Sequence, residues 1–144
     1  MIYLDTSCLL KLLVTEPDSD AVREAVAREN LVVVSSLAEL EAEVQLNAGY
    51  LGGELRASQR RQYLARLGAF RNLDPFQFRT LGGSVFQTAL RQHRRAGEIH
   101  CRSLDRLHLA AMEELRLKRL LTTDASQAIA ARALAFDVVQ PRGK

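Results

Sequence analysis

A chain of 144 residues, 47% hydrophobic and 26% charged, has the length for one domain (1–144) with a sizeable core and the balance of a soluble globular protein. No apolar run approaches the roughly 18 residues that span a bilayer, no basic region precedes the apolar start as in a signal peptide, and Cys8 and Cys101 make no CxxC or other metal spacing; a cytoplasmic protein with reduced thiols is expected. The net charge of +3 is uneven: residues 55–102 carry ten Arg against two acids, net +8, and the remainder ten Lys or Arg against fifteen acids, net −5; this suits a polyanion gripped by one part and acted on by another, or a solvated helix surface.

The opening MIYLDTSCLLKLLV reads as a buried strand over Ile2 to Leu4, then a helix from Thr6 to Val14. Pro17 interrupts, and Asp18 can cap a second helix reaching Glu29. Leu31 to Val34 is continuous and largely β-branched, as a strand buried on both faces should be. Ser35 or Ser36 then caps a helix that ends at Gly52-Gly53. Helical stretches over 58–72 and 80–96 follow, separated by Asp74-Pro75-Phe76-Gln77-Phe78. After Gly97 comes a helix carrying Leu104-Asp105-Arg106-Leu107-His108, with an apolar stripe of Leu104, Leu107, Ala111 and Leu115. Leu120 to Thr123 is strand-like, 125–134 helical, Phe136 to Val139 a last short strand, and the polar tail 140–144 is expected to fray. Strands alternating with helices predict an α/β domain whose short, mainly parallel sheet is flanked by helices in three layers.

Ligands of such sheets bind beyond the carboxyl ends of the strands. Asp5 and Asp124 each follow a strand and precede a helix, so both point to that rim. Each also reads as a helix cap, Asp124 with Gln127 in capping-box spacing, and Asp105 as an acid favoured in a helix's first turn. Among Glu39, Glu41 and Glu43, only Glu41 borders the stripe Leu37, Leu40, Val44, Ala48, which predicts that Glu41 reaches inward and the other two face solvent. Four carboxylates, Asp5, Glu41, Asp105 and Asp124, would repel unless a cation joins them. Hard oxygen donors without a Cys or His cluster suit Mg²⁺ or Mn²⁺, and such a site suits phosphodiester hydrolysis.

MIYLDTSCLLKLL, VVVSSLAELEAEV, RSLDRLHLAAM and LLTTDAS, in that order over nearly the whole chain, resemble the four motifs of the PIN-domain nucleases, above all the VapC toxins of type II toxin–antitoxin pairs. The resemblance implies a PIN-like three-layer fold and an Mg²⁺-dependent endoribonuclease, with Mn²⁺ able to substitute. It implies Asp5, Glu41, Asp105 and Asp124 as catalytic and metal-holding residues, with Thr6, Ser7, Thr122 and Thr123 as supporting polar groups. It also implies a homodimer and a cognate antitoxin. The Arg-rich segment is no part of the family's motifs. From it Arg91, Arg94, Arg95 and Arg102 are the expected RNA contacts.

His108 stands three residues from Asp105, but with only His93 and His100 besides it is expected at the core edge and not on a metal. Tyr50, Tyr63, Phe70, Phe76 and Phe78 lie among the arginines and read as packing residues in preference to base-stacking ones. Gly52-Gly53 and Gly82-Gly83 lack the context of a phosphate loop. The competing function is a non-catalytic module of the same fold that binds RNA or protein. A complete acid set argues against it, since a binding surface gains nothing from four acids near phosphates.

Overall fold

The computed structural model describes residues 1–143; Lys144, at the tip of the expected polar tail, lies outside them. Five strands form one parallel sheet in the order β3-β2-β1-β4-β5, with β1 at Ile2–Leu4, β2 at Val32–Ser35, β3 at Phe76–Arg79, β4 at Arg119–Leu121 and β5 at Asp137–Val139. The central strand β1 is buried throughout. Its neighbours are in register at Tyr3 with Val33 and Tyr3 with Leu120, and every pairing in the sheet is parallel.

Alternation along the strands sends side chains to two cores. Ile2, Leu4, Val32, Val34 and Leu121 meet α1 (Thr6–Leu13), α2 (Ser19–Ala27), α3 (Ser36–Leu51) and α4 (Ala57–Ala69) on one face. Tyr3, Val33 and Leu120 meet α5 (Val85–Arg95), α6 (Ser103–Glu114) and α7 (Ala125–Ala133) on the other. This is the expected three-layer arrangement. The strand order turns at β1 and β4, so the crevice beyond their carboxyl ends is the switch point at which such sheets bind ligands. No helix among the described residues is long and apolar enough to cross a membrane.

The structure corrects several expectations. The segment 76–79 is the edge strand β3, paired only with β2. It is four residues long, half-buried on alternate residues and preceded by Pro75, so it carries little of the apolar signal of β1 or β2. The helix expected from Thr80 starts at Val85, after Gly82-Gly83. Asp18 makes no side-chain cap; it sits at φ 72° and accepts the Gly143 amide. The tail therefore packs back onto the domain, with Pro141 buried. Helix α3 is rotated from its expected phase: Ala38, Ala42 and Leu46 face inward, while Leu40 and Val44 are 58% and 57% exposed. Small residues let α3 approach the sheet closely, a choice that a count of large apolar residues misjudges. Leu104 of α6 is likewise half exposed, and Leu109, Ala110, Ala111 and Met112 form its buried face.

Candidate active site

Beyond the ends of β1 and β4 lies a cavity of about 300 Å³. All four predicted acids line it: Asp5 after β1, Glu41 on α3, Asp105 in the first turn of α6, and Asp124 before α7. Thr6, Ser7 and Thr123 line it too, with Arg102, His108 and Gln45. Thr122 lies behind the wall, fully buried.

Asp5 is both a cap and a cavity residue. Its Oδ1 accepts the Cys8 amide at 3.1 Å and the Ser7 hydroxyl at 2.6 Å, and its Oδ2 accepts the Thr122 hydroxyl. Burial pushes its pKa above the ordinary Asp value, against the pull of those three donors and of His108. Asp124 is also a cap, accepting the amides of Ser126 at 2.8 Å and Gln127 at 3.2 Å. The predicted capping box does not close, because the Gln127 side-chain Nε2 donates to the Asp105 carbonyl at 2.9 Å and ties α7 to α6. Thr122 and Ser7 join the two acids' loops: Thr122 Oγ1 accepts the Asp124 amide and Ser7 Oγ accepts the Thr123 amide.

Glu41 reaches the cavity although Leu40 and Val44 of the stripe it borders are exposed. It is three residues after the buried Ala38 and four before Gln45, which lines the same cavity. Thr6 Oγ1 donates to Glu41 Oε1 at 2.8 Å, and His108 Nε2 contacts the same oxygen. Burial raises the Glu41 pKa, but the His108 hydrogen bond and charge, with Thr6 and Arg102, outweigh it and hold the carboxyl below the usual range. Glu39 points elsewhere and pairs with Arg71 at 2.5 Å, and Glu43 is exposed.

His108 is not at the core edge; it is buried, and it is the site residue that sequence reasoning missed. Its Nδ1 lies 2.6 Å from the Tyr3 hydroxyl, which lies 2.7 Å from Ser35 Oγ, itself the N-cap of α3. Ser35, Tyr3, His108 and Glu41 thus form one continuous hydrogen-bonded chain, with Nε2 as the donor to Glu41. The one available signal was Tyr3, a hydroxyl in the centre of an otherwise apolar strand.

Arg102 Nε donates to Asp105 Oδ2 at 3.1 Å, and its Nη2 lies 3.9 Å from Asp124 Oδ2. Asp105, then Asp124, hold its guanidinium above the usual Arg pKa. The other expected RNA contacts lie away from the cavity. Arg91 pairs with Glu113 on α6, and Arg94 and Arg95 are exposed at the end of α5. Much of the remaining basic segment is engaged internally. Arg60, Arg66 and Arg71 cover the rings of Tyr50, Tyr63 and Phe78, and Phe70 stacks on Phe76 at 4.5 Å. These aromatics are packing residues.

The PIN domain family profile matches residues 2–133. The chain belongs to the PIN domain family. Ribonuclease VapC46 of Mycobacterium tuberculosis is 33% identical over 142 residues, 97% of each chain. Three solved structures share the PIN fold. The sarcin–ricin-loop-cleaving toxin VapC20 of M. tuberculosis has a TM-score of 0.74 at 18% identity, over 98% of this chain and 100% of that one. FitAcB from Neisseria gonorrhoeae has 0.68 at 17%, over 98% of each. VapBC2 from Rickettsia felis, bound to a DNA fragment from its promoter, has 0.70 at 14%, over 98% and 99%.

The donor set of this PIN domain is all oxygen: four carboxylates around one cavity, with a buried one, Asp5, whose charge needs a counter-charge. That chemistry fits a hard divalent cation. Among the described residues no three His, Cys, Asp or Glu side chains are already gathered as a ligand shell. Arg102 bridges Asp105 towards Asp124, while hydroxyls and His108 hold Asp5 and Glu41.

Proposed function

We propose that the chain, acting as a single domain, is a metal-dependent endoribonuclease and the toxin of a toxin–antitoxin pair in the cytoplasm. The observation that carries this reading is the convergence of Asp5, Glu41, Asp105 and Asp124, from four separate elements, on one cavity at the switch point of the sheet. Those four would hold Mg²⁺, or Mn²⁺ in its place, which when bound supplies an activated water and neutralises charge on the phosphate oxygens. Ser7, Thr122 and the Cys8 amide orient Asp5, and Thr6 and His108 keep Glu41 ionised. Arg102 stands where an incoming phosphate meets the acids and offsets their charge. The likeness to the VapBC2 complex supports a cognate antitoxin as a separate chain, and the reading includes silencing of the site by that chain and a homodimer.

The direct test is cleavage of structured RNA by purified protein with Mg²⁺ or Mn²⁺ and none with EDTA. Uncut RNA in every divalent ion favours the non-catalytic binding module. Glu41→Gln is expected to lower the rate about 10- to 100-fold, the size of effect seen when groups around a metal are lost. Glu39→Gln and Glu43→Gln should stay near wild type, because neither lines the cavity; a Glu39 variant more damaging than the Glu41 one overturns this assignment. Each phosphate contact contributes roughly 0.7 to the log–log salt slope of single-strand binding, so replacing Arg94 and Arg95 together by Gln should flatten it by roughly 1.4. Arg91→Gln should do less, being engaged by Glu113. An unchanged slope in the double variant assigns this end of α5 to a protein contact.

A further inference from the structure

A second cavity, of about 760 Å³, opens between α5 and α6 on the other side of Arg102. Its walls are apolar, with Phe86, Ala89 and Leu90 from α5 and Leu107 from α6. Its basic lining is Arg102, Arg106, His93 and His100, and no Asp or Glu lines it. Arg106 is only 5% exposed, and its Nε and Nη1 are buried with no hydrogen-bond partner among the described residues. A guanidinium in that position is costly until an anion meets it. The start of α6 beside it has no side-chain cap, so its first amides are a second, independent anion-attracting feature.

We propose that this cavity holds one nucleotide of the RNA next to the scissile phosphate, with its phosphate on Arg106 and the α6 start and its base against Phe86, Leu90 and Leu107. The proposal rests on the ribonuclease reading and names a subsite of it. Contiguity selects RNA as the occupant: Arg102 lines both cavities, so a chain bound at the four acids passes Arg102 directly into this one. The volume is of the size that holds small ligands, about 300 to 1,000 Å³. A splayed single-stranded base needs a face to lie on, which the half-exposed Phe86 ring offers. A base read there contributes specificity that the phosphate contacts lack.

The test uses the full chain in EDTA and an RNA octamer, randomised except for one interior 2-aminopurine. Its affinity is read by anisotropy and the probe's environment by fluorescence. Arg106→Gln is expected to weaken binding about ten-fold, the loss of a charge-assisted contact. Its melting temperature should stay equal to or above wild type, since an uncompensated buried charge has gone. Phe86→Ala, at an exposed position that tolerates truncation, should weaken binding about five-fold or more and abolish the 2-aminopurine change. With metal, an abasic site beside the cut should raise KM several-fold and spare kcat. The subsite is refuted when both variants bind the octamer as wild type does. It is equally refuted when they convert a dimer to a monomer and leave the RNA readouts alone, which assigns the cavity to a second copy of the chain. Absence of metal-dependent cleavage would remove the nuclease reading, while the metal-free binding still decides the cavity.

Discussion

Asp5→Asn and Asp105→Asn should each cost at least about 100-fold in metal-dependent RNA cleavage, since even groups one step removed from a metal cost 10- to 100-fold. Both carboxylates line the cavity, and both variants keep the shape of the side chain. In Asp5→Asn the amide oxygen can still accept the Cys8 amide and so keep the start of α1 capped. The metal-free variant should therefore be folded, and at neutral pH more stable than wild type. The sign follows from burial. Asp5 has a folded pKa above its unfolded value, so its favourable contribution is complete below about pH 4 and is lost as pH rises through the folded value. The melting-temperature gain of Asp5→Asn over wild type, measured in EDTA, should be smallest near pH 4 and grow towards pH 7. Added Mn²⁺ should raise the wild-type melting temperature and reduce that gain. A gain that shrinks with rising pH, or full activity in either variant, would falsify the four-acid site.

The parts of this protein most legible from sequence are those fixed by local chemistry. Asp5 and Asp124 were visible because a strand, an acid and a helix follow one another, and an N-cap and a rim carboxylate require the same placement. The alternation of strands with helices gave the layer order, and β3 escaped because an edge strand of four residues needs one neighbour and little burial. In sequence Glu41 borders a stripe whose Leu40 and Val44 face solvent in the fold; the inward face is made of Ala38 and Ala42, whose size is their role. What no local pattern shows is which distant hydroxyl meets which ring. Tyr3 and His108 are 105 residues apart, and their bond exists only because α6 crosses the middle of the sheet. In sequence the charge excess of residues 55–102 reads as one basic segment, whereas the fold divides it among ring contacts, an ion pair to Glu39 and the mouth of the acid site.

The Ser35–Tyr3–His108–Glu41 chain carries the other large expected effect, because it fixes a cavity carboxylate from within the core. Tyr3→Phe keeps the ring packed and leaves His108 Nδ1 buried without its partner, which should cost about 1 to 3 kcal/mol of stability. His108→Ala removes the ring between Tyr3 and Glu41 and should cost about 3 kcal/mol, the scale of breaking a buried pair on one side. The effect on cleavage is separate from the effect on folding. If His108 acts by holding Glu41, then once Glu41 is replaced the His108 substitution has little left to disturb. His108→Ala and Glu41→Gln should each lower kcat/KM about 10- to 100-fold. The double variant should be close to the worse single, not to their product. Measured at a temperature where all four proteins are folded, a double variant that shows the full product would mean that the two residues act independently. His108 would then be a core residue whose contact with Glu41 is incidental. Tyr3→Phe supplies the graded case, with the ring of His108 in place and only its orientation loosened, so its loss of activity should fall between wild type and His108→Ala.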